Sequence, residues 1–398
     1  MGLTTNKLHG AFDWPQLLRA GDDVILEWAA NQPWAREMAG CQQDAGWHAE
    51  GDVWTHTCMV WEALRDHAEW SALDRASQIT LLVTALFHDS GKPVTTAPDP
   101  QTGRIRSPKH ALVGAEVARR VLRDLGCELE VRERVVHMVR YHSRPGYLAE
   151  QPQFDRPVIF TSWFLSNRLL HLFAVADTLG RRMVDAEGIQ LDLDSEVRRA
   201  AANGGRALER LELWRLAAEE HNCYDRRYPF ANDHARFLFY RDALSSLHYV
   251  PHEEYRCAVT MLSGMPASGK DTWLSQQRPA LPVVSLDELR TELDVDPADD
   301  QGAVAAAARE RVKEHLRARR DFAFNATNLT RHTRRRWIDL FADYGARIDV
   351  VYLEPPVATI LERNGSRERP VPQHVMKALI SKLDPPTIAE CHSLQFVS

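Results

Sequence analysis

The residues best able to do chemistry form two groups. In the first, His88 and Asp89 stand together in LFHDSGKP (Leu86–Pro93), at the end of an apolar run that Gly91 and Pro93 stop. Adjacent His and Asp at a helix end can both reach one metal. His56 lies upstream in DVWTHTCMV and Asp177 downstream in HLFAVADTLG. A carboxylate on so apolar a helix needs a partner, because an unpaired buried charge is costly. A metal held by His56, His88, Asp89 and Asp177 would provide one. For any one residue alone, a satisfied core histidine, a helix cap or a buried ion pair is the favoured explanation. The ordered set of four favours the metal. Nitrogen and oxygen donors without thiolate suit Mn, Co, Ni, Fe or Zn.

The second group lies in GMPASGKDTW (Gly264–Trp273). A glycine, four residues, Gly269 and Lys270 fit a phosphate-binding loop. Such a loop works because consecutive backbone N–H groups and a helix N-terminus face the phosphates. Gly264, Ser268, Gly269, Lys270, Asp271 and Thr272 are the expected nucleotide contacts. Asp271 stands where Ser or Thr is usual. A carboxylate beside phosphates is repulsive unless a hard cation lies between them, so Asp271 is expected to meet magnesium, directly or through water, with Thr272 facing a phosphate oxygen. A loop that no longer binds nucleotide is the competing reading. Further on, VVSLDELR ends a strand, where Asp287 could take the proton of an attacking hydroxyl and Arg290, three residues on, could grip a substrate phosphate. Asp287 serves equally well as a helix N-cap. In LERNGSRERPVP, Arg363 and Arg367 share a helix face, with Arg369 nearby; such arginines can close on a γ-phosphate, or form a solvated basic turn. The cluster Arg334–Arg335–Arg336 is either a solvated helix face or an RNA-backbone contact.

The elements that must position these residues differ between the two parts. Residues 1–225 read as mostly helical, with apolar spacing of about 3.6 in HTCMVWEAL, ITLLVTALF, AEVARRVLRDL and TSWFLSNRLLHLFAVAD. Residues 226–256 read as a connection containing a short helix, ARFLFYRDALSSL, that Pro251 follows. From Cys257 to the end, at 398, short β-rich runs (CAVTMLSG, LPVVSLD, DFAFNATN, ARIDVVYLE) alternate with helical ones, which implies a parallel sheet with crossover helices. The phosphate loop follows the first strand and opens a helix, the setting that it needs.

With 44% hydrophobic and 26% charged residues, the chain is of globular type. Residues 256–398 carry 20 Lys+Arg against 19 Asp+Glu, and the remainder 29 against 36. Neither part is a basic coat for a duplex, so any nucleic-acid contact must be local. None of the six cysteines is spaced as a zinc knuckle or redox pair. The N-terminus MGLTTNKLHGAFDW lacks a secretory pattern, and no apolar run spans a bilayer, so a cytoplasmic protein without membrane partners is expected.

The first group resembles the HD phosphohydrolase superfamily, whose signature is a His, a His–Asp doublet and a distant Asp. The resemblance implies an all-α HD phosphohydrolase fold and one or two bound transition-metal ions, with Lys92 matching the lysine that often follows the doublet. It makes His110 and His142 second-metal or phosphate contacts, with His137 and His48 lesser candidates. An ion there would polarise a phosphoryl oxygen and acidify a water for phosphoester hydrolysis, with Lys92 stabilising developing charge. The second group resembles the 5′-hydroxyl polynucleotide kinases, in which a phosphate loop is followed by a strand-end Asp with Arg three residues later. Their lid carries an Arg–Asn pair with a second Arg four residues from the first; here these are Arg363–Asn364 and Arg367. That resemblance implies an α/β P-loop kinase with a helical lid, using ATP or another NTP with Mg2+ or Mn2+. It makes Asp287 the general base, Arg290 the binder of the phosphate next to the 5′-OH end, Arg363 a nucleotide contact and Arg367 the stabiliser of the transferring phosphoryl group. Together the halves resemble the bacterial HD-domain–polynucleotide kinase fusions of RNA repair. This implies removal of a 2′,3′-cyclic phosphate at one RNA end, phosphorylation of a 5′-OH at the other, and a separate RNA ligase to seal them. An HD nucleotidase fused to a nucleoside or metabolite kinase is the alternative, and a non-catalytic ATP sensor a third.

Overall fold

A computed structural model describes residues 12–44, 48–151, 153–184, 190–191, 203–296 and 299–398. Residues 1–11 of the N-terminal stretch read above lie outside that set. The chain divides into two compact units, 1–229 and 230–398.

Among the described residues, the first unit is helical apart from two antiparallel pairs of two-residue strands, one of which joins Ala97–Pro98 to Ile105–Arg106. Five helices hold its chemistry: α1 (Val53–Arg65), α2 (Arg75–Phe87), α3 (His110–Asp124), α4 (Leu129–Tyr141) and α5 (Asn167–Leu179). Three start on side-chain caps that satisfy first-turn N–H groups: Asp52 accepts from Thr55 N, Asp74 from Ser77 N and Ser166 from Leu169 N. From Ile79 to Phe87 every residue of α2 is buried, so this helix is the unit's axis. The chain turns sharply after it. A Cβ on Gly91 would lie 2.2 Å from the His110 carbonyl oxygen. Only glycine lets the turn after α2 sit so close to the start of α3, and this brings Asp89 and His110 together.

The second unit holds a five-stranded parallel sheet of β1 (Cys257–Gly264), β2 (Val283–Ser285), β3 (Phe322–Asn325), β4 (Ala346–Leu353) and β5 (Ser393–Val397), in the order β2-β3-β1-β4-β5. The central strands are nearly continuous apolar runs because helices cover both faces. Strand order reverses at β1, which opens a crevice at its C-terminal edge.

The segment 226–256, expected to connect the two parts, is shared between the units. Its helix, Asp233–Tyr240, is shorter than the sequence suggests, because Asp242 takes a left-handed φ of 58° and the chain turns away after Arg241. Phe237 from this helix enters the core of the second unit.

Candidate active sites

In the helical unit, His56, His88, Asp89 and Asp177 converge from α1, the end of α2 and α5. All four are buried. His56 Nε2 lies 3.1 Å from Asp177 Oδ1 and 3.8 Å from Asp89 Oδ2, and His88 Nε2 lies 3.3 Å from Asp89 Oδ2. His110 and His142 stand on the other side of the same aspartate. His110 Nε2 is 3.4 Å from Asp89 Oδ1 and 3.4 Å from His142 Nε2.

The backbone fixes which ring nitrogen is bare. His88 Nδ1 donates to the Ala85 carbonyl at 2.8 Å, His110 Nδ1 to Ser107 at 2.8 Å and His142 Nδ1 to Val139 at 2.7 Å. His56 Nδ1 lies between the Gly180 carbonyl at 3.2 Å and Glu50 Oε1 at 3.1 Å. A carbonyl accepts only, so each Nδ1 carries the proton and each Nε2 offers a lone pair to the centre. The Nε2 of His88 is buried with no hydrogen-bond partner. Donors held about 2.1 Å from an ion at tetrahedral or octahedral angles sit roughly 3–3.5 Å apart, close to the separations found here. The donor set therefore fits one ion among His56, His88, Asp89 and Asp177, and a second among Asp89, His110 and His142.

Electrostatics agree with that fit. Burial alone would raise the Asp89 carboxyl, but Lys92, its Nζ 2.7 Å away, and His88 outweigh this and hold it well below the usual carboxylate range. Asp177 behaves likewise through Arg181, whose guanidinium is 2.7 Å from Oδ2. Burial opposes a charge on His56, yet Asp177 and Glu50 overcome it and raise the imidazole above its ordinary value. Burial pushes His142 down to about 3. The centre thus favours a cation beside fixed carboxylates and keeps His142 neutral, as a ligand must be. A cavity of about 640 Å³ lies over it, lined by Asp89, Lys92, His110, His142, Asp177 and Arg181.

Three contributors escaped the sequence reading. Glu50 orients His56, Arg181 holds Asp177, and Gln43 accepts from Lys92 Nζ at 2.6 Å. Polar residues of this kind in turns give no periodic signal. The lesser candidates separate: His48 bonds Glu50 at 2.7 Å and lines the cavity, whereas His137 stacks on Tyr141 and Phe164 away from the ligands.

In the second unit, Gly264–Lys270 forms the loop after β1, and helix Lys270–Gln277 starts from it. A Cβ on Gly264 would meet the Leu353 carbonyl oxygen at 2.6 Å and Ser268 Oγ at 2.8 Å, so only glycine lets the loop pass here. Lys270 is buried, and its Nζ donates to the carbonyls of Gly264 (3.1 Å) and Met265 (2.8 Å). Burial brings its pKa down to about 8, Asp271 and Asp287 pull the other way, and Arg367 pushes it lower. Ser268 Oγ is buried without a partner. Asp271 and Thr272 are exposed on the first helical turn, and Asp271 accepts from Asn325 at 2.6 Å.

Ser285, rather than Asp287, caps the helix after β2, accepting from Glu288 N, so the capping explanation for Asp287 fails. Asp287 instead pairs with Arg290, whose Nε donates to Gln301 at 2.7 Å. From the lid helix Val357–Gly365, Arg363 Nη1 lies 3.6 Å from where a Cβ on Gly269 would be. Asn364 bonds both ways with the Val371 backbone, at 2.9 and 3.0 Å, and so folds the lid back on itself.

Arg334 departs from both sequence readings. It is fully buried and donates to the Glu390 carboxylate at 2.8 and 3.0 Å and to the carbonyls of Asn328 (3.1 Å) and Asp384 (2.7 Å). It braces the second unit, while Arg335 and Arg336 stay exposed.

Comparison with known proteins agrees with this division. An HD domain model matches residues 53–161 and an AAA domain model residues 259–386. The chain is thus an HD domain fused to a P-loop kinase-like domain, one of phosphohydrolase type and the other of kinase type. It is also 43% identical over 105 residues to the CC-adding tRNA nucleotidyltransferase of Thermus thermophilus, a match covering 26% of this chain and 24% of that protein. The chain thus spans about a quarter of the length of that curated relative. Among the described residues, no helix is long and apolar enough to cross a membrane.

Proposed function

We propose that the chain heals both ends of a broken RNA. The HD domain would open a 2′,3′-cyclic phosphate and then remove the resulting monoester. The kinase domain would transfer the γ-phosphate of ATP to a 5′-hydroxyl. The observation that carries this reading is a second cavity. Ser143 and Tyr147 line both the cavity over the HD centre and a neighbouring one of about 480 Å³, whose walls also include Arg144, Arg156 and Phe160. Arginine and aromatic side chains beside a phosphoester site suit a strand that continues past its terminal nucleotide. The relative from Thermus is, by its name, an enzyme acting on tRNA, which also favours an RNA substrate.

The metal ligands named above would hold ions that supply Lewis acidity and an acidified water. Lys92 orients Asp89 and, with Arg181, offers positive charge to the phosphate from the cavity wall. In the kinase domain, a phosphate gripped by Arg290 puts the adjoining 5′-hydroxyl within reach of Asp287, because the two side chains touch. Asp287 would take the hydroxyl proton as the new O–P bond forms and the bond to the ADP oxygen breaks. Lys270 and the lid's Arg363 and Arg367 would balance charge on the transferred group.

The test is the mass of a short RNA bearing 5′-OH and 2′,3′-cyclic ends after incubation with protein, ATP, Mg2+ and Mn2+. Healing adds a phosphoryl at one end and removes one at the other. Asp287→Ala should cancel only the gain, and Asp89→Ala only the loss. An unchanged RNA with ATP still bound would replace this reading with a nucleotidase–metabolite kinase fusion. The products would need a separate RNA ligase.

A further inference from the structure

Asp271 and Asn325 meet at the phosphate loop in an arrangement that inverts the usual one. In P-loop nucleotide enzymes the hydroxyl after the loop lysine and a carboxylate from another strand hold magnesium. Here the position after Lys270 carries the carboxylate. The last residue of β3, in register with Leu262 of β1, carries a neutral amide. Asn325 Nδ2 donates to Asp271 Oδ1 at 2.6 Å. A carboxylate only accepts, so the amide must turn its NH2 to Asp271 and its Oδ1 away. That Oδ1 is buried and has no hydrogen-bond partner, in a side chain only 7% exposed. A bare buried carbonyl oxygen beside a carboxylate is costly unless a cation or donor meets it.

We infer that Asp271 and Asn325 have exchanged roles: Asp271 supplies the charged oxygen and Asn325 Oδ1 the neutral one for the divalent cation that accompanies the nucleotide. This rests on the nucleotide-binding part of the reading above. The exchange keeps one negative charge and two oxygen donors at the site. It also explains why both positions differ from the usual pattern at once. A hydroxyl with an amide would leave the cation no charge.

The experiment is a double-mutant cycle on the full chain, read by Mn2+ electron paramagnetic resonance with a non-hydrolysable ATP analogue. Asp271→Ser should weaken Mn2+ binding to the nucleotide complex by roughly ten-fold or more, Asn325→Asp alone should not weaken it, and the double variant should recover to within about three-fold of the parent. Melting temperatures of the four proteins separate a folding defect from a binding one. The exchange is overturned if Asp271→Ser keeps parental affinity, or if the double variant binds no better than the weaker single. Failure of the parent itself to bind Mn2+ with the analogue overturns the nucleotide reading as well.

Discussion

His110 and His142 turn their Nε2 atoms toward each other across 3.4 Å, each donating its Nδ1–H to a main-chain carbonyl three residues back. Two lone pairs so placed repel unless a proton or a metal lies between them. Burial opposes a charge on His142, which favours a metal there. Elemental analysis of the purified protein should give two ions per chain. His142→Ala should lose one while His56→Ala, on the other side of Asp89, loses the deeper one. Equal metal content in the parent and in His142→Ala would remove the second site.

Lys270 should make the nucleotide site of the kinase-like domain pH-sensitive from above. Burial lowers its pKa to about 8 in the free protein, so it is charged at pH 7 and loses its proton as pH rises past 8. A nucleoside triphosphate would bind the charged form. Affinity measured by calorimetry should therefore be flat below pH 8 and fall by about ten-fold per unit above it. Lys270→Arg, which cannot titrate in this range, should abolish the fall whatever its own affinity. A flat profile in the parent from pH 7 to pH 10 would refute this role.

Much of both sites was legible because their chemistry is written in short runs. The doublet His88–Asp89 and the loop Gly264–Lys270 each occupy a junction where an apolar element ends, so residue type and local structure pointed the same way. What stayed hidden depended on tertiary contact. Asn325 reads as an ordinary strand end until β3 is seen beside β1, and Glu50 as a loop acid until it reaches His56. Arg334 misled for the opposite reason. In RHTRRRW it is one arginine of three, and only the fold shows Glu390, from near the other end of the chain's last hundred residues, buried against it.

That pair gives a stability prediction. Arg334 and Glu390 are both buried, and the guanidinium also serves two carbonyls. Removing one partner strands the other's charge, at a cost of about 3–5 kcal/mol. Arg334→Ala should lower the unfolding free energy of the kinase-like domain sharply, whereas Arg335→Ala, at an exposed position, should change it by less than about 0.5 kcal/mol. Equal effects of the two substitutions in chemical denaturation would show that the buried pair does not brace the domain.

On the proposed function, the second cavity would separate strand recognition from catalysis at the HD centre. Tyr147 is 53% exposed and lines both cavities, and Arg156 lines only the outer one. Arg156 is not a metal ligand and does not line the inner cavity, so it should not matter to a substrate that ends at the metal. A mononucleoside 2′,3′-cyclic phosphate has nothing to place in the outer cavity; an oligonucleotide has a base and a phosphate. A lost base stack is worth about 1–3 kcal/mol. Arg156→Ala should accordingly cut kcat/KM for a cyclic-ended oligonucleotide by roughly five-fold to a hundred-fold while leaving the mononucleotide rate within about two-fold, whereas Tyr147→Ala, at a residue that lines both cavities, should lower both. Equal losses on both substrates in Arg156→Ala would mean that the outer cavity shapes the centre instead of holding the strand. No loss on either would mean that the strand leaves the site by another path.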